Sequence, residues 1–258
     1  MSAGIVIDMA CGSDRGRVRA RNEDHVRILP SFGLGHPLRR HGGHKAGDVA
    51  SQIAVDTIGD EWRALCNRTG AGAAITGSRR SDNLVAAVST ANEQIFTLSK
   101  NKPEFQGMGA TVIAAHFDRE GLCAVHLGDS RLYRYRRGAL QLLTSDHTHA
   151  QESVRQGLIS AEEARGGYGW NLLLKALGVD AVIEPDVISA RLAVGDVYLL
   201  ASDGLTDAVG EEEITERVDL GSGELPEAVE DLIDLANHNG GPDNVSVILV
   251  RVVSLQGL

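Results

Sequence analysis

The chain has 258 residues, of which 43% are hydrophobic and 23% are charged, and its formal net charge is −10. This composition is typical of a soluble globular protein that buries a substantial core. The negative charge argues against nucleic acid and anionic membranes as partners. It fits either a solvated acidic surface or acids gathered at a cation site.

Three cysteines, at positions 11, 66 and 123, are widely spaced and form no Cys-x-x-Cys pair. An odd and sparse set argues against a disulfide framework and fits the reducing cytoplasm. The first residues contain no basic segment followed by a long apolar run, because Asp8 interrupts the apolar stretch. We therefore expect a cytoplasmic protein without a signal peptide or a transmembrane helix.

The first hundred residues predict one strand and two long helices. Residues 4–10 (GIVIDMA) are apolar and predict an opening strand. Apolar residues recur with a helical period from Ala46 to Leu65 and again from Leu84 to Leu98. Residues 67–82, rich in Gly, Ser and Arg, predict the loop between the two helices.

The remainder of the chain is richer in strands. Short apolar or alternating runs predict strands at 111–117, 122–127, 131–136, 196–201 and 244–253. The capping-box pattern Ser160-x-x-Glu163 predicts the start of a short helix, and residues 226–237 predict another helix. Tight turns between the middle strands indicate antiparallel pairing. We expect a single α+β domain over 1–258, with helices packed outside a pair of sheets.

Aspartates stand in the tight turns at the ends of these strands. One such aspartate is most simply a local turn cap, but several that converge on one rim would repel each other without a cation. Hard oxygen ligands without Cys or His favour Mg²⁺ or Mn²⁺ over Zn²⁺. The turns are Ser13-Asp14-Arg15-Gly16 with the following Asn22-Glu23-Asp24, Gly128-Asp129-Ser130-Arg131, Ser202-Asp203-Gly204, and Gly241-Pro242-Asp243-Asn244.

Two ions held a few ångströms apart would lower the pKa of a water and direct it at phosphorus, with no covalent enzyme intermediate. Such a reaction also needs a cation for the phosphate oxygens, which arginine can bind through two nitrogens. Arg19, five residues before Asp24, is the candidate for that role.

Five motifs in this order resemble those of the bacterial branch of the PP2C (PPM) family of metal-dependent serine/threonine protein phosphatases. The resemblance covers nearly the whole chain. It implies a four-layer α/β/β/α sandwich with a central antiparallel β-sandwich and a metal cleft at one end. The motifs are Asp-Arg-Gly-x-Val-Arg-x-x-Asn-Glu-Asp (14–24), Gly-Gly-His-x-x-Gly-Asp-x-Ala-Ser (42–51), Gly-Asp-Ser-Arg (128–131), Ser-Asp-Gly-Leu-x-Asp (202–207) and Gly-Pro-Asp-Asn-Val (241–245).

The resemblance also implies roles for individual residues. Arg19 would bind the substrate phosphate, and residues 147–180 would form the variable flap that shapes access for protein substrates. His44 would lie near the cleft, in a proton-transfer role or as a structural hydrogen-bonding group, and Asp207 would be close to the site. The implied metal ligands are Asp24, Asp203 and Asp243 for the two-ion core, and Asp129 with Asp203 for a third, weaker ion.

Arg39 and Arg40 depart from the family pattern. Aligned on Gly42-Gly43-His44, they occupy the places of the Asp that bridges both metals and of the Gly after it. A like charge about 4 Å from a cation costs roughly 4 kcal/mol at an effective dielectric of about 20, and arginine does not deprotonate to avoid that cost. An inward-pointing Arg39 would therefore weaken or abolish the binuclear site.

Three explanations of this departure stand. The chain is a pseudophosphatase, or the arginines swing outward, or a paired frame slip in the coding DNA around residues 31–42 produced the segment. One permitted set of codons for Gly35 to Gly42, read one base later, encodes Ala-Ile-Arg-Cys-Asp-Gly-Met. Its Asp-Gly-Met falls on positions 39 to 41. The written stretch, PSFGLGHPLRRH, has no strand or helix pattern where the family has a buried strand.

The sequence thus predicts an enzyme that removes phosphate from phosphoserine and phosphothreonine proteins by means of a metal-activated water. The expected cofactors are two Mn²⁺ or Mg²⁺ ions with a third, weaker one. The expected partners are phosphorylated proteins and a cognate Ser/Thr kinase that the enzyme opposes, and the chain is expected to be a monomer. The alternative is a catalytically impaired module that binds phosphoproteins or regulates a partner, because Arg39-Arg40 replace the bridging Asp-Gly.

Overall fold

The structure is a computed structural model that describes residues 4–30, 34–41, 46–69, 78–166, 172–220 and 224–255. Within these residues, ten strands form two five-stranded antiparallel sheets. The first sheet has the order β1-β10-β9-β6-β7, from Ile5–Asp14 (β1), Arg131–Arg136 (β6), Ala139–Leu142 (β7), Val197–Ala201 (β9) and Val245–Leu255 (β10). The second has the order β2-β3-β4-β5-β8, from His25–Leu29 (β2), Leu34–His41 (β3), Gly109–Asp118 (β4), Gly121–Leu127 (β5) and Asp186–Ala190 (β8).

Helices cover the outer face of each sheet. The long pair α1 and α2 packs on the second sheet, and α5, α6 and α7 pack on the first. The helices are Ala46–Thr69 (α1), Ser78–Asn101 (α2), His149–Arg155 (α3), Ala161–Gly166 (α4), Asp203–Thr206 (α5), Glu211–Leu220 (α6) and Leu225–His238 (α7).

Alternation along the central strands explains why they read as continuous apolar runs. In β4, Val112 and Ala114 face α1 and α2, whereas Ile113 and Ala115 belong to the core between the two sheets. Both faces of the strand are therefore buried, and every residue from Gly109 to Asp118 is buried. The result is the predicted α+β, four-layer α/β/β/α sandwich.

Most elements predicted from periodicity are confirmed. The predicted strand 131–136 is β6, and the predicted antiparallel pairing of the middle strands is observed. The capping box is also present: Glu163 N–H donates to Ser160 Oγ at 3.1 Å, and Ser160 N–H donates to a Glu163 carboxylate oxygen at 2.8 Å. The predicted loop 67–82 is wrong for 67–69 and 78–82, which belong to α1 and α2, and its residues 70–77 lie outside the described residues.

Strand β3 forms in the segment whose composition predicts neither strand nor helix. It lies between β2 and β4, with Val26 opposite Pro37 on one side. On the other side, Gly35 lies opposite Ala115 and Leu38 lies opposite Val112 of β4. Pro37, which has no N–H to donate, lies between these two paired positions. Pairing on both sides therefore outweighs the poor intrinsic preference of this stretch. Of the helices in the described ranges, none has the length and apolar character needed to cross a membrane.

Candidate metal and phosphate site

Strand register brings the predicted acids to one end of the sandwich. Arg131 of β6 lies opposite Ala201 of β9. Asp129 precedes Arg131 by two residues and Asp203 follows Ala201 by two, so the two aspartates lie beyond the same end of this strand pair. We call the end of the sandwich that carries Asp24, Asp129, Asp203 and Asp243 the acidic rim.

Ser246, near the start of β10, connects two of these acids. Its hydroxyl donates to Asp24 Oδ2 at 3.0 Å. Its backbone N–H donates to Ser202 Oγ at 2.9 Å, and its carbonyl accepts from Ser202 N–H at 3.0 Å. Because Asp203 follows Ser202 directly, one buried serine fixes the loop before β2 and the turn after β9 in the same place.

Asn244 has a similar role for the loop that carries Arg19. Its side-chain NH₂ donates to the carbonyls of Arg15 and Arg21, both at 2.8 Å, and its Oδ1 accepts from Glu23 N–H at 2.9 Å. The loop is thereby attached to the start of β10. Gly204 packs so closely on Asn244 that a Cβ there would lie 1.9 Å from the Asn244 carbonyl oxygen. Only glycine fits at that contact.

Arg19 and Asp243 meet directly. The Arg19 guanidinium donates to Asp243 Oδ2 at 2.8 Å, and the arginine side chain is 44% exposed. The structure therefore places the predicted phosphate-binding cation against a predicted metal ligand. Asp207 is exposed one turn after Asp203, and its N–H donates to the Asp203 carbonyl.

Asp129 lies in a turn that is held by its neighbours. The hydroxyls of Ser130 and Thr111 are 2.8 Å apart, and both residues are buried. Gly128 has a φ of +118°, and a Cβ there would lie 2.4 Å from the Thr111 Cβ. The close approach of β4 and the left-handed backbone together require glycine just before Asp129.

Asp14, the remaining turn aspartate, has a local role. It accepts hydrogen bonds from Gly16 N–H at 2.8 Å and from the Asn237 side chain at 3.0 Å. Burial alone would raise the pKa of Asp14, but these hydrogen bonds outweigh burial and lower it. Asp14 thus caps its own turn and attaches it to α7.

The backbone of Arg39 also reaches the acidic rim. Arg39 lies opposite Thr111 of β4. On its other side, Leu38 lies opposite His25 of β2, so the antiparallel register brings Arg39 next to Asp24. Position 39 is therefore flanked by Asp24 on one side and by the strand that contacts Gly128 on the other. The side chains of Arg39 and Arg40, and all of His44, lie outside the described residues.

The rim is rich in carboxylates that are shielded from water. Asp24 is 6% exposed and Asp129 is 9% exposed, while Asp203 and Asp243 are partly buried. Buried carboxylates on neighbouring strand ends favour a cation between them. The four aspartates do not form a group with ligand atoms all within 4.8 Å; within the described ranges, that compactness is reached by His126, His147 and Asp186.

Sequence reasoning missed the hydrogen-bonding roles of Ser246, Asn244, Asp146 and His147. Asn244 and Ser246 follow Asp243 by one and three residues, but nothing in their residue types indicates which loop each one holds. Their partners in the loop before β2, Arg15 and Asp24, are more than 200 residues away in the chain. Only the folded topology therefore identifies these contacts.

Comparison with known proteins gives matches over most of the chain. The profile described as protein phosphatase 2C matches residues 41–222. Serine/threonine phosphatase Stp of Listeria monocytogenes serotype 4b (strain F2365) is 35% identical over 243 residues, covering 93% of this chain and 93% of that protein. The crystal structure of the Mycobacterium tuberculosis serine/threonine phosphatase PstP/Ppp has a TM-score of 0.86 at 36% identity, covering 96% of this chain and 100% of that one.

A further crystal structure contains the PstP catalytic domain in complex with two manganese ions. It has a TM-score of 0.82 at 37% identity, covering 97% of this chain and 100% of that one. These similar proteins are named as phosphatases, and they give no support to the alternative of an impaired regulatory module.

Proposed function

Because this chain belongs to the protein phosphatase 2C family, we propose that it hydrolyses phosphoserine and phosphothreonine esters of proteins at the acidic rim. The observation that carries the proposal is the convergence of aspartates from separate strand ends beside the guanidinium of Arg19. Asp24, Asp203 and Asp243 would hold a core of two Mn²⁺ or Mg²⁺ ions, and Asp129 with Asp203 would hold a third, weaker ion.

The donor set fits these ions. It consists of hard carboxylate oxygens, with Asp24 and Asp129 almost completely buried. Mg²⁺ and Mn²⁺ prefer such ligands, and a dication offsets the repulsion among the acids. When bound, the ions would lower the pKa of a water and stabilise charge on the phosphoryl oxygens.

Arg19 would contribute by orienting the phosphate. Its guanidinium carries five N–H donors, and the contact to Asp243 is made by a single nitrogen. Since nearly half of the side chain is exposed, it can contact Asp243 and present the remaining donors to a phosphate that enters from solvent. Arginine suits this task because its planar fork matches two phosphate oxygens at once.

Several finer assignments belong to the same proposal. The substrates would be phosphorylated proteins, a cognate Ser/Thr kinase would supply them, and the enzyme would act as a monomer in the cytoplasm. The whole chain would be one catalytic domain, with residues 147–180 as the flap. Support for the flap comes from α3 and α4, which lie between β7 and β8 in the chain and belong to neither sheet.

Mn²⁺-dependent hydrolysis of a phosphothreonine peptide tests the proposal. We expect Asp203→Ala to lower turnover at least about a hundredfold, because a metal contributes several kcal/mol to charge stabilisation in the transition state. Wild-type Mn²⁺-stimulated turnover in Asp203→Ala would contradict the site assignment.

The double substitution Arg39→Asp with Arg40→Gly tests the departure from the family pattern. Replacing a positive charge with a ligand at the rim is expected to tighten Mn²⁺ binding and raise turnover. Equal Mn²⁺ affinity in both proteins would mean that the Arg39 side chain points away from the ions. Turnover in neither protein would overturn the proposed function.

A further inference from the structure

Two consecutive residues, Asp146 and His147, hold both ends of the turn that carries Asp129. At one end, the Arg131 guanidinium donates to both carboxylate oxygens of Asp146, at 3.1 and 2.8 Å. At the other end, His147 N–H donates to the Gly128 carbonyl at 2.8 Å, and Gly128 N–H donates to His147 Nδ1 at 3.0 Å. The four-residue turn is thus attached at its first and last residues.

We propose that Asp146 and His147 are positioning residues that hold the Asp129 carboxylate in place for its divalent cation. The inference rests on the proposed metal role of Asp129. Neither residue would touch the ion or the substrate. They would act through the backbone of Gly128 and the side chain of Arg131.

Polar contacts at both nitrogens and stacking on a second ring hold the imidazole of His147 in place. Its Nδ1 accepts from Gly128, so the proton of the neutral ring is on Nε2, which lies 3.2 Å from Asp186 Oδ2. The ring of the fully buried His126 stacks on it, with centroids 4.8 Å apart and planes at 26°. The His147 carbonyl also accepts from Leu174 N–H at 2.8 Å.

The local environment keeps His147 in the form that this arrangement needs. Burial lowers the pKa of His147 and outweighs the opposing effect of Asp186. A neutral ring leaves Nδ1 free to accept the Gly128 N–H, whereas a doubly protonated ring would place two donors against each other.

The same contacts argue against a cation at His126, His147 and Asp186, whose ligand atoms lie within 4.8 Å of one another. A histidine that ligates a metal through one nitrogen normally donates a hydrogen bond through the other. His147 Nδ1 accepts instead, and the proton on Nε2 occupies the position that a metal would need. The group is therefore a chain of polar contacts, in which Asp186 Oδ2 lies beside His147 Nε2 and His147 Nδ1 accepts from Gly128 N–H.

Two amide substitutions separate the two arms of His147. In His147→Asn the side-chain oxygen can replace Nδ1 and accept from Gly128, while the contact to Asp186 is lost. In His147→Gln the longer side chain reaches toward Asp186, while the acceptor for Gly128 is lost. Both variants lose the stacking on His126 and one polar contact of the ring, so a general loss of stability would affect them alike. The exposed His149→Gln, two residues along the chain, is the matched control.

Mn²⁺ binding, measured by electron paramagnetic resonance of the free ion, gives a readout independent of activity. We expect His147→Gln to weaken the weakest Mn²⁺ step about tenfold or more, the usual effect of removing a residue that orients a ligand. His147→Asn and His149→Gln should bind as the wild type does. Equal affinities for the Gln and Asn variants of His147 would overturn the proposal.

Hydrogen exchange of the metal-free protein tests the same arrangement without a cation. The Gly128 amide should exchange slowly in the wild type and in His147→Asn, and faster in His147→Gln, at a melting temperature equal to that of His147→Asn. Equal exchange in all three proteins would overturn the positioning role. A wild type that binds Mn²⁺ but hydrolyses no phosphopeptide would instead contradict the proposed function and leave this inference standing.

Discussion

The two ends of the β-sandwich differ in how the charge of their buried carboxylates is neutralised. At the end away from the acidic rim, Asp118 accepts from the Arg80 guanidinium and lies 3.4 Å from His116 Nε2, and all three residues are buried. The chain supplies the neutralising cation itself.

At the rim, Arg19 contacts Asp243 but remains nearly half exposed, and the acids Asp24 and Asp129 are buried on neighbouring strand ends. One end is a closed ion pair, and the other is the end at which we propose that cations bind.

The largest expected effect comes from breaking the closed end. Burial alone would raise the pKa of Asp118, but His116 and Arg80 outweigh burial and lower it. Asp118→Asn would leave Arg80 charged and buried, which typically costs about 3–5 kcal/mol of unfolding free energy. Urea unfolding at pH 7 measures the loss. The control is Glu120→Gln, an exposed partner 3.6 Å from Arg80, which should cost less than about 1 kcal/mol. Equal losses in the two variants would contradict the comparison.

A buried histidine near the rim should make stability depend on pH. Burial, and then the neighbouring His147, lower the pKa of His126 to about 3 against the opposing effect of Asp186. The unfolded chain binds a proton near pH 6.5 and the folded chain does not, so stability is complete above pH 6.5 and is lost as the pH falls. Lys175 also faces this group and favours the neutral ring.

Comparison of the wild type with His126→Gln isolates this contribution. Between pH 6.5 and 5, the wild type should lose about 1.6 kcal/mol more unfolding free energy than the variant, because the slope rises from half of about 1.4 kcal/mol per pH unit toward the full value. Between pH 7 and 8 the two curves should run parallel. Parallel curves over the whole range would mean that His126 takes up its proton in the folded state as readily as in the unfolded chain.

Removal of an acid from the rim should act in the opposite direction from Asp118→Asn. Asp129→Asn takes one negative charge from a set of mutually repelling carboxylates, so the metal-free variant should be up to about 1 kcal/mol more stable than the wild type. The measurement is urea unfolding with a chelator present. With Mn²⁺ added, the order should reverse, because ligand binding stabilises the folded wild type more. A metal-free variant that is clearly less stable would mean that Asp129 is held by internal partners, as Asp118 is.

Sequence periodicity predicted the long helices and the central strands because each buries one or both faces. It could not predict β3, since the stretch around Pro37 has no pattern of its own and is held by β2 and β4. The acids of the rim were identifiable because each stands in a turn or loop beside a strand end, and the capping box because its two residues are three apart. Ser246, Asn244 and His147 were not identifiable as supports, because their contacts depend on which strand ends meet.

The smallest effect is expected in α4, the short helix in the segment between β7 and β8. Ser160 and Glu163 cap α4 reciprocally, and the backbone and side-chain hydrogen bonds from Ser160 lower the pKa of the exposed Glu163.

Ser160→Ala removes one of the two hydrogen bonds, which typically costs about 0.5–1 kcal/mol of helix stability. Because α4 has six residues and packs outside both sheets, the cost should appear as local opening rather than global unfolding. Hydrogen exchange should therefore show faster exchange of the α4 amides with an unchanged urea midpoint. A shifted midpoint would mean that this segment unfolds together with the sandwich.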